Sequence, residues 1–166
     1  MNNTIFAKTM ARELDMETAS TRKCLERIVE STWSFKPHKK SMEMGYLSFL
    51  VAEIPAWIAW VVETGDIDMA TFPHERPANP QELADYFSRN VERAVKALNT
   101  VKDEDLEAPF NLKNSGQVLW TTSKKEMIAS TINHMVHHRG QLTVYMRLNN
   151  IAVPSIYGPS ADDRNF

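Results

Sequence analysis

Three of the chain's five histidines fall within five residues, in the run Thr131-Ile-Asn-His134-Met-Val-His137-His138-Arg139-Gly140-Gln141. On a helix, His134 and His138 stand at i and i+4 on one face, about 6 Å apart along the axis. Two imidazoles at that spacing can chelate one ion. The same spacing also suits two half-buried polar edges of a packed helix, and no carboxylate completes a His-Glu-x-x-His pattern. Projected at about 100° per residue, Ile128, Ile132, Met135, Leu142 and Met146 form an apolar core stripe. His134 and His138 share one shoulder of that stripe with Met127, Thr131 and Tyr145, while His137 points to solvent. Arg139 projects into the middle of the stripe, a costly place for a guanidinium unless a carboxylate or an interface meets it. Gly140 would permit close approach of a neighbouring helix or a ligand, or else is purely structural.

The elements that must position these residues are legible from their ends. The histidine helix is predicted to open at Ser123, where Glu126 closes a capping box, and to reach about Asn149. A first helix covers about residue 6 to 29 or 33, with Leu14, Thr18, Thr21, Leu25 and Ile28 at helical spacing. Pro37 then breaks the chain. A second helix is expected from Ser41 as N-cap, with Glu43 in its first turn, to Gly65 at the left-handed C′ position. Pro55 should kink it. Residues 66–79, with Pro73 and Pro77, read as a long crossover loop. A third helix opens on Asn79-Pro80-Gln81-Glu82, which supplies a cap, a proline at N1 and a glutamate at N3. Residues 110–120 alternate weakly around Asn114-Ser115-Gly116, so a small hairpin fits there. The tail, with Pro154, Gly158 and Pro159, is irregular. These elements predict an all-α chain: a single domain over 1–166, built as an up-and-down four-helix bundle with its long crossover between the second and third helices.

Composition narrows the function classes. At 166 residues, with 43% apolar and 24% charged side chains, the chain can bury a full core. Its net charge of −2 leaves no excess of base for phosphates, which argues against nucleic-acid binding and an anionic membrane role. A lone Cys24 permits no intrachain disulfide and fits a reducing, cytoplasmic setting, and the N-terminus carries no unbroken apolar leader. Residues 44–62 hold a single charge over nearly the length of a bilayer span, but Glu53 would sit near mid-bilayer beside Pro55. An all-round apolar helix is equally what the centre of a bundle requires.

Two passages carry a family resemblance: Lys36-Pro-His-Lys-Lys-Ser-Met42 running into Met44-Gly-Tyr-Leu-Ser-Phe-Leu-Val-Ala-Glu-Ile-Pro-Ala-Trp57, and Asn133-His134-Met-Val-His-His138-Arg-Gly-Gln-Leu142. The chain resembles the DinB-like family of bacterial bundle proteins along nearly its whole length. The resemblance implies a bundle often found as a homodimer, with a divalent metal, zinc or nickel, held by three histidines. His134 and His138 match the two from the last long helix, but the second-helix ligand falls at Leu50, which cannot coordinate. Glu53, one turn on, could swing a carboxylate into the vacancy as a third ligand or pair instead with Arg139; His38 is a weaker substitute. Members with an activity are thiol transferases or thiol-dependent isomerases, in which the metal activates a small-molecule thiol. Phe49, Trp57 and Tyr145 are candidates to line an apolar pocket or simply to fill the core. Two functions stay open: a metal-dependent transferase or hydrolase-like enzyme acting on a small thiol or electrophile, and a metal-free helical binding protein that has lost the site.

Overall fold

The computed structural model describes residues 5–164. The expectations for the N-terminal leader and for the domain ends therefore lie partly outside the described residues. The chain runs through α1 (Ile5–Arg27), a 3-10 turn (Glu30–Thr32), α2 (Met44–Thr64), β1 (Asp66–Asp68), α3 (Pro80–Thr100), the short α4 (Asp103–Leu106), β2 (Pro109–Asn114), β3 (Gln117–Ser123) and α5 (Lys124–Leu148). α2 packs against α3 and α5, and α1 packs against the same two helices. Leu47, Val51, Ile54, Ile58 and Val61 of α2 are fully buried in the shared core. The helix apolar enough to cross a bilayer thus has 67% of its most apolar stretch buried inside the protein.

The fold is mostly helical but not all-α, because a three-stranded sheet of order β1-β2-β3 joins the helices. The expected hairpin is present as β2 and β3, paired antiparallel. Ser115 and Gly116 form its turn at φ 50° and 81°, the left-handed geometry of a tight two-residue hairpin. β1 falls where only loop was expected: Ile67 pairs with Leu112 in parallel register. Three residues flanked by aspartates carry no strand signal, yet Asp68 fastens the hairpin by accepting the Ser115 and Gly116 N–H groups at 2.9 and 2.7 Å.

The starts of α3 and α5 and the end of α2 follow local chemistry, whereas α1 stops at Arg27, short of the expected 29 or 33. Asn79 accepts the Glu82 N–H at 2.9 Å above Pro80, and Gly65 closes α2 at φ 76°. α2, however, begins at Met44 with Glu43 as N-cap, not at Ser41. Its first free N–H groups are satisfied by the preceding backbone: Met44 N–H donates to the Phe35 carbonyl and Gly45 N–H to the Trp33 carbonyl, each at 2.9 Å. Gly45 is required there, since a Cβ would lie 2.9 Å from Trp33 Cβ. Pro55 lies buried inside α2, and the buried Asn90 of α3 donates to the neighbouring Ala52 carbonyl at 2.9 Å.

Candidate functional site

The reciprocal capping box of Ser123 and Glu126 fixes where α5 starts and hence which way each of its side chains faces. His134 and His138 turn toward α2, and their Nε2 atoms stand 2.8 Å apart. His138 Nδ1 lies 2.7 Å from Gln141 Oε1. An amide oxygen only accepts, so that nitrogen carries the proton and His138 Nε2 presents its lone pair; His134 Nε2–H then donates to it. Burial first, then His138 and His137, holds the His134 pKa below the ordinary imidazole range, so the neutral form is favoured. His137 is exposed, as its projection requires.

His134, the outer member of the pair, lines a cavity of about 570 Å³, with His138 buried behind it. α2 contributes Phe49, Leu50, Glu53 and Trp57; the crossover contributes Phe72 and His74; Trp120 comes from β3 and His134 from α5. The Trp57 ring packs 5.4 Å from the His134 ring and 6.2 Å from Phe72, so aromatic surface runs from the imidazoles to the crossover. Tyr145, a candidate for this wall, instead packs on Phe35 and donates to the Met42 carbonyl at 3.4 Å.

Glu53 is 5% exposed and faces the same cavity. Its Oε2 accepts from His74 Nδ1 at 2.8 Å and from the Tyr86 hydroxyl at 3.4 Å. Burial, and then the Glu53 carboxylate, pushes the Tyr86 phenol up to about 12, so it stays a donor. Sequence reasoning missed His74; the signal was a histidine between Pro73 and Pro77 in a crossover that has to close over a buried glutamate. His38 remains in an exposed loop, where its Nδ1 accepts the Lys40 N–H at 3.2 Å.

Glu53 does not pair with Arg139. One residue after His138, the guanidinium turns about 100° round the helix, away from α2. It meets Glu17 of α1, with Nη1 2.5 Å from Oε2. Arg139 also donates to Thr21 Oγ1 at 2.9 Å and to the Tyr157 hydroxyl at 2.9 Å, and Tyr157 donates on to Glu17 Oε1 at 2.9 Å. Glu17 was visible in principle, since it sits one turn from both Leu14 and Thr21 on the buried stripe of α1. Gly140 approaches none of the described residues: a Cβ there would find no atom of theirs within 4 Å.

Among the described residues, no three His, Cys, Asp or Glu side chains gather closely enough to hold an ion. The two imidazoles are poised as a pair, and Leu50 and Glu53 line the cavity beside them. Paired imidazoles, one of them oriented through its distal nitrogen, suit zinc or nickel in donor type.

The DinB family matches residues 1–165 of the chain. The uncharacterized protein YrdA of Bacillus subtilis is 35% identical over 88 residues, which are 52% of this chain and 50% of that protein. Protein DinB of the same organism is 30% identical over 79 residues, 47% of this chain and 45% of its own length. The matched segment thus spans about half of each relative. Among solved structures, a DinB-like protein from B. subtilis aligns at TM-score 0.71 with 19% identity, covering 94% of this chain and 99% of its own. A DinB-like protein from Bacillus cereus ATCC 10987 aligns at 0.69 with 24% identity, covering 95% and 100%.

Proposed function

Because the chain belongs to the DinB family, we propose that it is a metal-dependent enzyme of thiol-transferase or hydrolase-like type, acting in the cavity between α2 and α5. The observation that carries this reading is the pair itself: Gln141 holds the His138 ring at 2.7 Å, and the two Nε2 atoms stand 2.8 Å apart, where an ion would replace the proton between them. Buried imidazoles that merely tolerate their surroundings need no such orientation, whereas a ligand pair does. His134 and His138 would hold zinc or nickel, with the depressed pKa of His134 keeping its ring unprotonated for the task. A divalent ion supplies Lewis acidity and lowers the pKa of a thiol or water nucleophile. Leu50 gives no ligand, so the pair leaves positions open to substrate. Trp57 and Phe72 would exclude water and seat the apolar part of a small thiol or electrophile. Glu53 would join as a ligand through a carboxylate whose Oε2 already accepts from His74.

That engagement of Glu53 favours a second reading, a metal-free binding protein in which two histidines alone hold no ion. Elemental analysis of tag-free protein, followed by calorimetric titration of the stripped chain with zinc and nickel, separates the two. Uptake of one ion per chain that His138→Ala abolishes supports the enzyme; no uptake above background by either protein sinks it.

We further read the four long helices as an up-and-down bundle that forms a homodimer in the cytoplasm and binds neither nucleic acid nor membrane. The free Cys24 thiol, the net charge of −2 and the burial of α2 support the last three points. Sedimentation showing a monomer at tens of micromolar, roughly where weak dimers dissociate, would count against the dimer.

A further inference from the structure

The charges around the cavity are not equally matched. Glu53 is engaged by His74 and Tyr86, and Glu75 is paired with Arg89 at 2.8 Å. Arg76, two residues beyond His74 on the crossover, has no carboxylate or hydrogen-bond acceptor among the described residues. Its guanidinium rests 5.9 Å from the centroid of the Phe49 ring, and both residues line the cavity. A cation held against an aromatic wall keeps its donors free for something else. Apart from Glu53, Ser130 and His134, the walls behind it are apolar, among them Leu50, Trp57 and Phe72.

We propose that this cavity binds a small ligand with an apolar, preferably aromatic, body and one carboxylate, which Arg76 receives at the mouth while the body lies on Trp57 and Phe72. A guanidinium fork takes a carboxylate in two parallel hydrogen bonds, and an aromatic-lined hollow of about 570 Å³ accommodates a single-ring body. The inference rests on the cavity assigned above but not on the ion. It names the charge of the molecule that would be brought to the paired imidazoles, and it holds equally for a binding protein without metal.

The test uses metal-stripped full-length protein in chelator and three probes of matched length: 4-phenylbutyrate, 4-phenyl-1-butanol and 4-phenylbutylamine. Binding is followed by calorimetry, with tryptophan emission as a second readout, since Trp57 and Trp120 line the cavity. The carboxylate should bind at least ~10-fold more tightly than the alcohol, as a charge-assisted contact to arginine warrants. The amine should bind most weakly. Arg76→Gln should bring carboxylate and alcohol to equal affinity without moving the alcohol, and Arg76→Lys should restore part of the preference. Leu50→Trp, which fills the hollow, should abolish binding of all three. Equal binding of the three probes, a preference that survives Arg76→Gln, or no binding at all overturns the inference. Failure here with zinc uptake intact leaves the proposed function standing, and the converse result leaves this site standing.

Discussion

Two polar clusters share α5, one residue apart in sequence, and they are built on opposite principles. The Arg139 cluster is closed: a guanidinium 1% exposed meets Glu17, Thr21 and Tyr157 and ties α1 and the C-terminal segment to α5. The His134–His138 cluster is open: its Nε2 atoms face each other, His134 lines a cavity, and Gln141 holds the His138 ring. A buried ion pair closed on itself gains little from a ligand, whereas a pair of imidazoles sharing one proton beside a cavity exchanges that contact readily for another. The string His-Arg-Gly-Gln is therefore two devices interleaved by the helical period. His138 and Gln141 serve the cavity, Arg139 serves the fold, and Gly140 serves neither.

The sharpest way to break this comparison is to open the closed cluster. Arg139→Leu strands Glu17 in the core and should lower unfolding free energy by about 3–5 kcal/mol, read by urea denaturation. Adding Glu17→Leu should recover most of that loss. If His134→Ala destabilises as much as Arg139→Leu, the histidines are structural after all.

The open cluster should instead respond in ligand affinity. Gln141→Leu frees the His138 ring and should weaken zinc binding by about 10–100-fold, the usual range for an outer-shell partner. The midpoint of urea unfolding without metal should hardly move. Leu50→His places an imidazole on the cavity wall with His134 and should tighten zinc or nickel by at least ~10-fold, read by calorimetry. Should Glu53 already complete the site, Glu53→Gln would weaken wild-type binding and Leu50→His would add little. The smallest expected effect tests the residue that serves neither cluster: Gly140→Ala should raise stability by about 0.5–1 kcal/mol, because alanine restrains the unfolded chain and its methyl meets nothing. A loss of stability would mean that this position does approach a partner, such as a second chain.

What the sequence revealed of all this follows the range of the interactions. Ser123 with Glu126, Asn79 with Pro80 and Glu82, and Gly65 act within one helical turn, so those helix ends were readable. The spacing of His134 and His138 is likewise a property of one helix. The partners of Arg139 and Glu53 were not readable, because Glu17 lies 122 residues from Arg139 and His74 reaches Glu53 across a loop. Pairing Arg139 with Glu53 chose the right kind of partner from the wrong helix. The start of α2 was misplaced for the same reason: Ser41 is a good capping residue locally, but backbone carbonyls of Trp33 and Phe35 fill that role. β1 is a strand only because β2 lies beside it.

The burial of α2 has a consequence for the order in which the chain can assemble. Both helices that cover it, α3 and α5, are made after it. Its larger neighbour, α3, is complete only at Thr100, and α5 closes the other side only after the synthesis of roughly eighty further residues, at about 5–20 residues per second. α1, made earlier, packs on α3 and α5 and gives α2 no comparable cover. Over those seconds the unpartnered surface is open to chaperones, to a second nascent chain and to any membrane nearby. Glu53 and Pro55, in the middle of that helix, make the bilayer a poor competitor until α5 arrives. The same glutamate that later faces the cavity thus helps to keep the unfinished chain in water.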